Sequence, residues 1–126
     1  MKATGETAQQ IKATATWREL CANNAVLWEA TSEESGPFGG KAHFKILVHN
    51  NHVGSIVQNG NLVTKPWSLY ATQDNSEKPY LFLRGNFEDR PTALAAFGHY
   101  DAARLRYAEL HYAKNGIPAE EGHFLL

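Results

Sequence analysis

His43 to Thr64 reads H-F-K-I-L-V-H-N-N-H-V-G-S-I-V-Q-N-G-N-L-V-T, and the points at which this stretch doubles back decide the fold. Asn50-Asn51 and Asn59-Gly60 are both pairs that tolerate the positive φ of a two-residue hairpin turn, so three antiparallel strands joined by two tight turns are expected. Counting outward from the first turn pairs His49 with His52, Val48 with Val53, Ile46 with Ser55 and Phe44 with Val57. Counting from the second pairs Val57 with Leu62. Side chains alternate along a strand, so this register gathers Phe44, Ile46, Val48, Val53, Val57 and Leu62 on one face, the expected core. The opposite face collects His43, Lys45, His49, His52 and Gln58, together with a second apolar strip of Leu47, Ile56 and Val63.

Upstream, A-V-L-W-E-A-T alternates in the manner of a first strand. Before it, Thr16 stands three residues ahead of Glu19 in the capping-box spacing, which predicts a short helix from about Trp17 to Ala22 with Trp17, Leu20 and Cys21 on one apolar face. Residues 1–15 read equally well as a loose segment or as a helical extension. The intervening S-E-E-S-G-P-F-G-G, with three glycines and a proline, can sustain neither a ladder nor a helix and is expected to be a mobile loop whose Phe38, Gly39 and Gly40 contact a partner. Downstream, W-S-L-Y-A-T and P-Y-L-F-L-R read as two more strands around Q-D-N-S-E-K. G-N-F-E-D-R-P-T reads as a loop, and T-A-L-A-A-F as a last strand or the first turn of a helix. From about Tyr100 to Asn115 the residues are good helix formers, and Gly116 and Pro118 stop them. The expected fold is α+β in a single domain over residues 1–126. It has an antiparallel, meander-rich sheet of five to six strands, a short N-terminal helix, and a longer C-terminal helix packed on one face.

The bulk numbers agree with one domain: 126 residues, 43% hydrophobic and 20% charged, close to the average globular chain. Twelve Lys+Arg against thirteen Asp+Glu lack the basic excess that drives non-specific nucleic-acid binding. The opening M-K-A-T-G-E-T-A-Q-Q turns polar at once and there is one cysteine, which together point to the reducing cytoplasm. No run reaches the roughly 18 apolar residues of a membrane span.

Candidate chemistry is sparse. His49 and His52, directly opposed across the predicted turn, are near enough to share a metal, but zinc needs three or four ligands, and His43 lies roughly 20 Å along the strand. No metal or cofactor is therefore expected. Protonation of the opposed pair would place like charges side by side, so mild pH sensitivity is expected at that tip. S-G-P-F-G-G-K-A departs from a phosphate-binding loop at Ser35 and Ala42 and joins two strands. Cys21 belongs to an apolar helix face rather than to a base. The acidic pairs Glu33-Glu34, Glu88-Asp89 and Glu120-Glu121 are sequence neighbours in loops or tails, not carboxylates facing each other across a cleft.

The C-terminal helix carries more information. Tyr100, Ala103, Tyr107 and Leu110 form one apolar stripe that should dock on the sheet. Leu105, Ala108 and Tyr112 form a second, with Arg104 between the two and Arg106 on the polar remainder. A helix apolar on two sides has a neighbour on both, either another element of the chain or another molecule. The functional expectation is a small non-catalytic protein that binds a macromolecule, a protein partner or a second copy, as regulator, inhibitor or assembly subunit. Its surface would use Arg104, Leu105, Arg106, Ala108 and Tyr112, with Leu47, Ile56 and Val63 on the sheet. The rival from another class is single-stranded nucleic-acid binding by the Arg/Tyr helix, and a small enzyme using histidine acid/base chemistry stands third.

Overall fold

A computed structural model describes residues 15–115, with the side chains of residues 60–62, 112, 114 and 115 outside the described set. Helix α1 (Ala15–Asn24) runs directly into strand β1 (Ala25–Glu29). A loop containing one 3-10 turn (Gly36–Phe38) leads to β2 (His43–Val48), β3 (Asn51–Leu62), β4 (Lys65–Thr72) and β5 (Tyr80–Phe87), followed by α2 (Arg90–Phe97) and α3 (Asp101–Asn115). The five strands form one antiparallel sheet in the order β1-β2-β3-β4-β5, a simple meander. This is the expected α+β architecture. No helix among the described residues is long and apolar enough to cross a membrane.

All three helices bury residues in a single core on one face of the sheet. Trp17, Leu20 and Cys21 from α1, Ala93 and Phe97 from α2, and Ala102, Ala103 and Tyr107 from α3 close over Ile46, Val48, Val53, Ile56, Leu69 and Ala71. Gly54 lets that layer seat. A Cβ there would lie 2.4 Å from Cε1 of Phe97 and 2.6 Å from the Tyr70 carbonyl oxygen, both far inside van der Waals contact. Helix α2, left open between strand and helix by its sequence, starts where Asp89 accepts a hydrogen bond from the Thr92 N–H at 2.8 Å. A hydrogen bond from the Thr92 hydroxyl, and next the one from its N–H, hold the Asp89 carboxyl below its ordinary range. Pro91 in the first turn costs the helix nothing, since its missing N–H would have no partner there.

Several local expectations give way. The β2–β3 turn is His49-Asn50, with φ of 49° and 66°, one residue earlier than Asn50-Asn51; Asn tolerates that conformation at either position, so the sequence does not separate the two. Val48 therefore pairs with Asn51 and Leu47 with His52, and the partner then steps from His52 to Gly54 between Leu47 and Ile46. Val53 is the extra residue of a β-bulge. The shift exchanges two neighbours: Ile56, paired with Phe44, belongs to the helix-covered core, whereas Val57, paired with His43, turns to the other face.

Asn59-Gly60 is not a turn either. β3 continues to Leu62, which pairs with Lys65, so two expected strands are one and the count settles at five. Thr16 lies one residue inside α1 rather than at its cap.

Candidate functional site

The face of the sheet opposite the helices is the outer face, and its side chains form a row that crosses every strand. Trp28 pairs with Lys45, Lys45 with Ser55, Ser55 with Tyr70 and Tyr70 with Phe82. Beside it Val26 pairs with Leu47 and Leu47 with His52. At the two ends Trp28 is 57% exposed, Val26 55% and Phe82 50%, a density of open large apolar side chains that the helical face does not show.

The middle of the row is covered. The β1–β2 loop carries Phe38 onto it, with ring centroids 4.7 Å from Tyr70, 4.8 Å from Tyr80 and 5.2 Å from His43. Hydrogen bonds tie this glycine-rich loop to itself and to the sheet. The Thr31 N–H donates to Oε1 of Glu34 at 2.9 Å, and the Glu34 N–H donates back to Oγ1 of Thr31 at 3.2 Å. The other Glu34 oxygen receives Nζ of Lys45 at 3.0 Å. Those bonds, the Thr31 N–H first and Lys45 next, bring the Glu34 carboxyl down to about 2. Gly36 and Gly40, at φ of 54° and 88°, supply the left-handed corners that aim Phe38 downward.

Beneath Phe38 lies a polar cluster. Ser55 Oγ is 2.6 Å from Nε2 of His43 and 3.1 Å from Nε2 of His52, and Ser55 and His43 are fully buried. Burial, then the nearby Lys45 charge, lowers the pKa of both imidazoles, His52 to about 4. Both rings are thus neutral near pH 7. Nδ1 of His43 has no hydrogen-bond partner among the described residues. A buried bare lone pair is tolerated more readily than a buried unpaired N–H, so the proton sits on Nε2 and is donated to Ser55 Oγ. Ser55 Oγ also lies within hydrogen-bond distance of His52, whose ring is held by the Gly54 backbone. Burial raises the Tyr80 hydroxyl, and a hydrogen bond with Ser55 tempers the rise.

A serine between two neutral imidazoles has the parts of a nucleophile and a base, but Ser55 is fully buried. The cluster forms a polar layer between the Phe38 loop and the sheet, with Nδ1 of His43 left unpartnered among the described residues. Two imidazoles could share a metal, yet among the described residues no three His, Cys, Asp or Glu side chains converge.

The residues singled out from sequence are dispersed. His49 and His52 do not oppose each other: His49 sits in the turn with Nδ1 3.4 Å from the Tyr107 hydroxyl, while His52 reaches Ser55 on the outer face. Ile56 is core, Leu47 is half-buried on the outer face, and Val63 projects from the β3–β4 turn. On α3, the first stripe docks as expected, with Ala103 and Tyr107 buried and Tyr100 and Leu110 packed against the core. Of the second stripe, Ala108 is buried and Leu105 stands open, 47% exposed. Arg104, between the stripes, is buried with Nε 2.5 Å and Nη2 3.1 Å from the two Asp101 carboxylate oxygens. Arg106 donates to Thr72 Oγ1 at 2.9 Å and pairs with Glu109. The Tyr112 side chain, Glu120-Glu121 and His123 lie outside the described residues. Gly39 and Gly40 are exposed, and Phe38 beside them is turned inward.

A cleft of about 440 Å³ between α1 and α2 is lined in part by Cys21, Ala25 and Leu94. Its thiol is pushed up to about 12 by burial and offers no nucleophile. A second cleft, of about 330 Å³ and lined in part by His52, Tyr80 and Arg106, opens at one end of the outer face. Comparison with known protein families, with curated proteins and with solved structures finds no match to this chain.

Proposed function

We propose that this is a non-catalytic protein that binds another protein through the outer face of its sheet, as a regulator, inhibitor or assembly subunit. One observation carries the reading: Trp28, Val26 and Phe82, each at least half exposed, lie on the face that no helix among the described residues covers, at the two ends of a row running through Lys45 and Tyr70. Large aromatic anchors with a few polar neighbours are the composition of energetic centres in protein interfaces. The row replaces α3 as the favoured surface, because three of the helical residues expected there are committed within the fold: Arg104 to Asp101, Arg106 to Thr72 and Glu109, and Ala108 to burial. The same commitments weaken the rival reading of an Arg/Tyr helix tracking a phosphate backbone, which needs free cations. The free thiol of Cys21 is buried, which fits a reducing compartment.

The test is affinity capture from the source cell with three variants whose changed side chains are exposed. Trp28→Ser and Phe82→Ser should each lose the captured protein while keeping the wild-type circular dichroism spectrum, and Leu105→Asp should retain it. Loss with Leu105→Asp and retention with both outer-face variants would move the interface back to α3.

A further inference from the structure

The two edges of the sheet are not alike. β5 is a guarded edge: its ladder with β4 shifts register between Trp67 and Leu69 and again between Leu69 and Tyr70, Asn86 sits at φ 64°, and Arg84 lies in the strand. Irregular ladders and charges of this kind prevent a strand from accepting another. β1 has no register shift and no positive φ, and its single charge, Glu29, stands at its end. Ala25–Glu29 pairs with β2 without a shift, holds no proline, glycine or lysine, and among the described residues pairs with no strand on its other side.

The free groups of β1 specify what fits them. The Ala30 N–H donates to the His43 carbonyl at 2.9 Å. Hydrogen-bonding direction alternates along an antiparallel strand, so Trp28 and Val26 also turn their backbone groups toward β2, and Ala25, Leu27 and Glu29 turn theirs outward. Three outward residues centred on Leu27 are self-complementary. A two-fold axis through Leu27, perpendicular to the sheet, sets Leu27 against the partner's Leu27, Ala25 against the partner's Glu29, and Glu29 against the partner's Ala25. All three have hydrogen-bonded geometry; the Ala25 N–H closes the last turn of α1, so about four N–H···O bonds form in all.

The same axis puts Val26 opposite the partner's Trp28 in the closer, non-hydrogen-bonded kind of pair, with Cα atoms about 4.5 Å apart. Both side chains lie on the outer face, and they are the two open apolar residues of the strand. Glu29 is the only charge on β1, and it faces an alanine rather than its own copy, so no like charges meet.

We infer that a second copy of this chain docks on β1, joining two five-stranded sheets into a continuous antiparallel sheet with both sets of helices on the same side. This rests on the reading of the chain as a protein-binding protein and names one of its partners. It joins the two outer-face rows end to end at Trp28. A five-residue strand makes a small interface, of the size that associates reversibly.

Sedimentation velocity of the full chain across the micromolar range tests it. Wild type should move from monomer to a species of twice the mass as concentration rises. Val26→Lys, which places a charge on the edge, should remain monomeric. So should Glu29→Pro, which removes an outward N–H while leaving the ladder with β2 intact. Phe82→Ser, on the far edge, should dimerise as wild type does. A wild type that stays monomeric throughout overturns the inference, and so does dimerisation undiminished in both β1 variants. If the wild type is monomeric yet Phe82→Ser still abolishes capture of a foreign protein, the dimer falls and the outer-face reading stands. If the dimer forms as described and capture is indifferent to Phe82, the reverse holds.

Discussion

The two faces of this sheet differ in residue type and in how they are covered. On one, Ile46, Val48, Ile56 and Leu69 are sealed by Trp17, Phe97 and Tyr107 from three helices. On the other, one loop lowers one phenylalanine onto a layer of His43, His52, Ser55, Tyr70 and Tyr80, and the apolar ends of the row stay open. The contrast teaches that alternation alone does not say which face becomes core. What closes a face is the element that lands on it, and among the described residues the outer face is covered only at its centre.

The sharpest way to break the contrast is to disturb the sealed face. Gly54→Val should prevent folding or cost roughly 3 kcal/mol or more, because Phe97 and the Tyr70 carbonyl already occupy the space of a Cβ; urea denaturation reads the loss. Ile56→Ala should cost about 2–5 kcal/mol in the same assay, as for other buried isoleucines. Trp28→Ala, a larger truncation on the open face, should change stability by no more than about 0.5 kcal/mol. Equal losses for Ile56→Ala and Trp28→Ala would erase the distinction between the faces.

The covered centre of the outer face should betray itself through pH. The folded chain holds His43 and His52 neutral, while the unfolded chain takes up protons near the ordinary histidine value of about 6.5. Acid therefore favours the unfolded chain. The contribution of these rings to stability is complete above pH 6.5 and lost on descending toward about 4, where His52 titrates in the fold, with a slope of up to about 1.4 kcal/mol per pH unit for each ring. His52→Gln should flatten that slope, and an unchanged slope would mean that the cluster is solvated. The smallest effect is expected from Glu34→Gln. It weakens the Lys45 contact without touching Phe38, so amide exchange should quicken in residues 31–42 while the unfolding midpoint barely moves.

Element types were largely legible in the sequence, since α3, the strands flanking Q-D-N-S-E-K and the meander follow from periodicity and turn residues. Register was not. Ser55-Ile56-Val57 puts two apolar residues side by side, so nothing in the pattern reveals that the bulge at Val53 sends Ile56 to the helices and Val57 to the loop. The loop itself carried a readable sign: Thr31 and Glu34 have the same spacing as Thr16 and Glu19, and it is the former pair that makes the reciprocal bonds. The two spacings look identical in the sequence; the difference is that Glu34 also has Lys45 within reach across the sheet. His43, Ser55 and Tyr80 come from three strands and share no local motif, so only the ladder brings them together. Arg104 reads in the sequence as an exposed interface residue, and its pairing with Asp101, three positions earlier, buries it instead.

The most direct test of the central claim, that the open ends of the outer face are the working surface, is amide hydrogen exchange on the chain with and without its captured protein partner. Added protection should concentrate in β1, β2 and β5, around Trp28, Lys45 and Phe82, and leave the exposed side of α3 around Leu105 unchanged. Protection confined to α3, with the outer face exchanging as in the free chain, would contradict the account.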